Sequence, residues 1–137
     1  MISRRAVLVV LLAATLGCST GELNCGSPPD LTGAWTYTGT QVSPPASITG
    51  SMNLTHPGTC LVGGNISLTV DDGSGTPQVL TGPVAGIWID EHNLELNAEF
   101  GDERSHAATV VADTMSGDWS QPGAGGGASG TFKAVKN

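Results

Sequence analysis

Basic residues are scarce in this chain: five Lys and Arg stand against twelve Asp and Glu, for a formal charge of −7. Arg4 and Arg5 fall within the first five residues. Past residue 17 only Arg104, Lys133 and Lys136 are basic, so that part carries 3 − 12 = −9. Nucleic acid rewards clustered Lys and Arg, and anionic lipid headgroups reward a basic patch; neither partner fits. The carboxylates read as a solubilising surface. Long apolar runs are absent too. Ala6 to Leu16, at eleven residues, is short of the roughly twenty that a helix needs to cross a bilayer. Past it no segment keeps a helical period.

Chemical signatures are equally sparse. His56 lies in a turn, His92 in an acidic turn and His106 at the start of a strand. None is paired at metal-ligand spacing, and each is expected on the surface. No Ser sits in a Gly-x-Ser-x-Gly nucleophile turn. Asp71-Asp72-Gly73-Ser74-Gly75 offers oxygen ligands but lacks the later Glu of a calcium loop, and reads as a hairpin turn. Gly123 to Gly127 has no Lys and no following helix to cradle a phosphate. No enzyme activity, metal or cofactor is expected.

What is present starts with a leader. Met1 to Arg5 is a short positive segment, and Ala6 to Leu16 has the length of a signal-peptide core. It ends in Thr15-Leu16-Gly17-Cys18, which resembles the lipobox of bacterial lipoproteins. That resemblance implies a diacylglyceryl group on Cys18, cleavage after Gly17 and acylation of the new amino terminus. The competing reading is an ordinary cleaved signal with an incidental Cys. Ser3-Arg4-Arg5-Ala6-Val7-Leu8 partly resembles a twin-arginine export signal, with Val7 in the place of Phe; general secretion is preferred. Ser19, where an inner-membrane retention signal has Asp, points to the outer membrane in a cell with two membranes. If Cys18 carries lipid, Cys25 and Cys60 remain as an even pair in an oxidising compartment. They are expected to form a disulfide, against the alternative of two free thiols. The organisation is then a signal peptide over 1–17, lipidated Cys and polar tether over 18–29, and one domain over 30–137.

From Asp30 the chain repeats a device: a small residue, a Gly, any residue and a large apolar one. It appears at Thr32-Gly33-Ala34-Trp35, Thr49-Gly50-Ser51-Met52, Thr81-Gly82-Pro83-Val84, Ala85-Gly86-Ile87-Trp88, Ser116-Gly117-Asp118-Trp119 and Ser129-Gly130-Thr131-Phe132. Residues two apart share a strand face, so each Gly lies beside a bulky group, where it lets the strand bend tightly. Period-two alternation predicts eight strands, at about 31–38, 47–55, 60–70, 78–90, 93–100, 106–112, 114–120 and 129–135. Turn residues separate them, including Gly101-Asp102-Glu103-Arg104. Pro83 removes a ladder donor, so a bulge or an edge is expected there. Trp88 has the opposite face from Ile87 and Ile89, so one set must point outward. The fold class is all-β: an antiparallel up-and-down meander, closed into a small barrel because closure removes its edges.

Asp30-Leu31-Thr32-Gly33-Ala34-Trp35 at the head of this meander resembles the Gly-x-Trp opening of calycin-type barrels: lipocalins, avidins and small bacterial metalloprotease inhibitors. The resemblance implies a Trp35 that plugs the closed end of the barrel. The mid-chain Thr-Asp-Tyr signature of lipocalins is absent, and the biotin contacts of avidins cannot be placed. Trp35, Tyr37, Met52, Phe100, Met115, Trp119 and Phe132 are the candidate barrel lining, either as walls of a small-ligand pocket or as core filling. Two functions follow for a cell-envelope lipoprotein anchored in the membrane by its N-terminal lipid. One is binding of a small apolar ligand. The other is binding of an envelope protein, by a protease inhibitor or scaffold with a filled core.

Overall fold

The computed structural model describes residues 24–56, 59–123 and 127–137. The leader, its expected signal-peptide helix and Cys18 lie outside the described residues. Eight strands follow one another: β1 (Gly33–Gln41), β2 (Ala46–Thr55), β3 (Leu61–Asp71), β4 (Gln78–Trp88), β5 (Asn93–Glu99), β6 (Glu103–Val111), β7 (Thr114–Gln121) and β8 (Ala128–Lys136). Each pairs antiparallel with the next, and β8 returns to β1 from Trp35↔Lys136 to Gln41↔Gly130, closing the barrel. No helix occurs among the described residues.

Alternation decides which side chains enter the barrel. Along β1, Trp35 and Tyr37 are buried while Thr36 and Thr38 are exposed. The same period sends Ile48, Met52 and Leu54 of β2 inward, then Ile66, Leu68 and Val70 of β3. Trp88 is inside and Ile89 is outside. The repeated Gly residues stand at the inner bends. A Cβ on Gly117 would lie within the van der Waals radius of the Ala107 carbonyl oxygen across the ladder. One on Gly130 would collide with the Thr40 carbonyl oxygen and press 2.8 Å from the Trp119 indole nitrogen. Only hydrogen fits where strands coil this closely. Pro83 keeps its pairing with Asn65 of β3, and the β4–β5 ladder begins just past it at Val84↔Ala98. It therefore sits where that ladder ends, without a missing bond inside it.

The two ends of the barrel differ. One is crossed by the segment 24–31, which works as a strap. Cys25 is bonded to Cys60 with Cα atoms 5.8 Å apart, and the Ser27 amide donates to Glu91 Oε1 at 3.1 Å. Leu31 is buried beneath the strap, and its carbonyl accepts the Trp35 indole N–H at 2.8 Å. His56 is held there too, contrary to the surface position expected of it: its Nδ1 accepts the Leu31 amide at 3.4 Å and its Nε2 donates to the Thr59 carbonyl. Trp35, His56 and Trp88 plug this strapped end. The opposite end, formed by the β1–β2, β3–β4, β5–β6 and β7–β8 turns, is crossed by no strap among the described residues; we call it the free end.

Candidate functional site

All seven candidate lining residues point into the barrel, and six of them are buried; Phe100, at the free end, is half-buried. The structure does not gather them into one site. Trp35 belongs to the plug at the strapped end. Tyr37 and Phe132 stack at mid-barrel with ring centroids 5.6 Å apart; Met52, opposite Trp35, and Met115, opposite Val110 and Ala134, are buried in the same core. Trp119 and Phe100 stand at the free end. Four apolar residues packed against the core are only partly covered: Ala46, Leu80, Phe100 and Ala128. All four rim the free end.

Two further residues enter this end that alternation alone did not assign to the interior. Arg104, expected in a turn, is the second residue of β6 and only 3% exposed. His106, expected on the surface, is also 3% exposed. Counting back from Val110 and Ala108 along the inner face of β6 leads directly to them, and that was the available signal. Polar residues read as outward or as turn, which puts the start of the expected strand at His106, whereas β6 begins at Glu103.

The Arg104 guanidinium lies flat over Trp119, 4.0 Å from the ring centroid, and 5.7 Å from that of Phe100. Its Nε donates to Gln121 Oε1 at 3.1 Å. Among the described residues no carboxylate pairs with it, and Nη1 is buried without a protein partner. Burial holds its pKa below the ordinary arginine value, yet a guanidinium stays charged in any protein setting. A charged group that is only 3% exposed thus has no counter-charge among the described residues, and the loss of its hydration costs up to several kcal/mol.

Below it, His106 Nε2 lies 2.9 Å from the Tyr37 hydroxyl, and its ring packs edge-on against Phe132 at 4.9 Å. Burial, with the nearby Arg104 charge adding to it, depresses the His106 pKa to about 4. Burial also raises the Tyr37 pKa above its ordinary value, the Arg104 charge opposing this in part. Both groups are therefore neutral at pH 7. If Tyr37 donates to Nε2, one buried group goes unmet, the Nδ1–H of His106. If Nε2 donates instead, the Tyr37 hydrogen and Nδ1 both go unmet. The first arrangement costs less, so His106 carries its proton on Nδ1, which faces the Arg104 and Leu96 backbone carbonyls without a well-formed hydrogen bond among the described residues.

The outer wall carries other concavities. One, of about 620 Å³, spans the outside of β5 to β8 between Glu95, Glu103, Asp118 and Thr131. Three carboxylates, Glu95, Glu103 and Asp118, stand in its wall beside apolar surface. Among the described residues no group of three His, Cys, Asp or Glu could hold a metal. The expected bridge between Cys25 and Cys60 is present.

No protein-family model matches the sequence, and no curated protein matches it. Among solved structures, that of EF1p2_mFAP2b bound to DFHBI superposes with a TM-score of 0.67 at 12% identity. The match covers 78% of this chain and 94% of that one. At this identity the likeness shows the fold alone, an eight-stranded antiparallel barrel.

Proposed function

We propose that this protein is a non-catalytic, lipid-anchored binding barrel of the cell envelope that takes a small, largely apolar ligand through its free end. The observation that carries this reading is the asymmetry of the two ends. The strapped end is sealed by a disulfide, two Trp and a buried His. At the free end the core surfaces as an apolar rim, with an aromatic wall and unmet donors behind it. A site of this make-up, apolar with a few polar groups, suits a small organic ligand. The barrel it resembles holds DFHBI, which supports a ligand role for the architecture.

The anchor in this reading is Cys18. Six residues separate Cys18 from Cys25, an extended reach of about 25 Å. Because Cys25 is bonded to the strapped end, a lipid on Cys18 keeps that end toward the membrane and turns the free end toward its surroundings. Mass spectrometry of the membrane fraction tests the anchor: the chain should carry acyl mass on Cys18, and Cys18→Ser should be released. Ligand binding is tested by Trp emission during titration with a panel of hydrophobic metabolites. A saturable shift that Trp119→Phe removes supports the reading; no shift across the panel counts against it.

A protein-binding role is the second reading. It is favoured by the density of the interior, and by Leu61 and Ile89, which are exposed on the outer wall near the strapped end. A stable complex with an envelope protein that Leu61→Ser and Ile89→Ser abolish would favour it.

A further inference from the structure

We propose that the ligand carries an oxyanion, most simply a carboxylate on an apolar body, and that Arg104 is the residue that binds it. This inference rests on the binding reading above and names the chemistry of the same site. Among the described residues three buried side-chain nitrogens have no hydrogen-bond partner: Trp88 Nε1, Arg104 Nη1 and His106 Nδ1. The first belongs to the plug. The other two lie two residues apart on the inner face of β6, at and below the free end. His106 Nδ1 has the Arg104 and Leu96 carbonyls near it, whereas Arg104 Nη1 is a donor in every state, so what is missing beside the guanidinium is an acceptor.

Charge narrows the acceptor. A neutral carbonyl would meet the hydrogen bonds and leave the guanidinium uncompensated. An anion meets both demands, and the planar fork of Arg matches a carboxylate in two parallel bonds. The surroundings narrow the rest of the ligand. Trp119, Phe100 and the partly covered Leu80 and Ala128 supply apolar and aromatic surface around the charge. Glu95, Glu103 and Asp118 stand on the outer wall, where they disfavour an anion and leave the barrel interior as its place. Phe100, half-buried at the β5–β6 turn, stands 5.7 Å from the guanidinium at the rim of the free end.

The test uses dodecanoate and dodecanol, which share a chain and differ in charge, with Trp emission and calorimetry at pH 7. Wild-type protein should bind dodecanoate at least tenfold more tightly than dodecanol. Arg104→Met should bind the two alike, with its far-ultraviolet circular dichroism unchanged. Arg104→Lys, which keeps the charge and loses the fork, should retain part of the preference. Equal binding of both probes by wild-type protein would overturn the oxyanion and leave the binding barrel standing. Binding of neither would overturn both. Should Arg104→Met fail to fold, the wild-type comparison and Arg104→Lys still decide the matter.

Discussion

Replacing Arg104 by Met should make the empty barrel more stable. Two contacts hold the guanidinium. Stacking on Trp119 at 4.0 Å is worth about 1–2 kcal/mol, and the bond from Nε to Gln121 about 1.5–3 kcal/mol. Against them stand the loss of hydration of a buried ion, several kcal/mol, and the unmet Nη1, about 1–3 kcal/mol. Met fills a similar volume, and its thioether on Trp119 returns about 0.3–1.5 kcal/mol. Gln121 is only half-buried, so its freed oxygen can turn to water. The balance favours Met by about 1–2 kcal/mol, a rise in Tm of about 4–8 °C per kcal/mol for a domain near this size. Urea and thermal unfolding of the ligand-free protein measure it. A second signature accompanies the first. The Arg104 charge helps to depress the His106 pKa, so removing it should move that pKa up toward the ordinary histidine value in an NMR titration. A loss of more than about 1 kcal/mol in Arg104→Met would refute the reasoning, because the guanidinium would then be a net structural plug.

Other perturbations separate the remaining parts of the account. His106 has a folded pKa of about 4 against an ordinary 6.5. The unfolded chain therefore binds the extra proton between those values, and stability falls as pH drops from 6.5 to 4. The loss from this group is about 3 kcal/mol, and His106→Gln should flatten that stretch of the stability–pH curve. Cys25→Ser or Cys60→Ser opens a loop closed across 35 positions and should cost about 3–4 kcal/mol in denaturant unfolding, an effect that reductant reproduces in the wild type. Gly117→Ala forces a methyl group against the Ala107 carbonyl and should cost about 1–3 kcal/mol, whereas Gly63→Ala, whose Cβ would meet nothing closer than Thr55 Oγ1 at 3.7 Å, should be tolerated. Ala112 holds a φ of +51° in the β6–β7 turn, so Ala112→Gly should raise stability by about 1 kcal/mol.

The strands could be read from the sequence because nearly every inner position is apolar or Gly and most outer ones are polar, the outer face of β4 being the main exception. Met115, Gly117 and Trp119 against Ser116, Asp118 and Ser120 show the pattern at its clearest. The strand count, the meander order and the closure followed from it. What escaped is the reverse case, polar side chains turned inward. Arg104 follows Gly101-Asp102-Glu103, a turn-like string, and its charge argues for water unless something inside compensates for it. His106 hid for the same reason. His56 is covered by the strap, a tertiary contact fixed by the Cys25–Cys60 bond that no local pattern encodes. The candidate lining residues all face inward. Their division among a plug, a middle and a free end depends on where each strand starts relative to its neighbours, and alternation does not carry that information.

The claim on which the account turns is that a ligand enters at the free end and meets Arg104. The three indole N–H signals in a ¹⁵N-resolved NMR spectrum report on both ends at once, since Trp35 and Trp88 sit in the plug while Trp119 lies under the guanidinium. During titration with dodecanoate, the Trp119 indole and the Arg104 Nε–H should shift together and saturate, while Trp35 and Trp88 hold still. Movement of the plug indoles first, or no movement of the Trp119 and Arg104 signals at saturating dodecanoate, would contradict it.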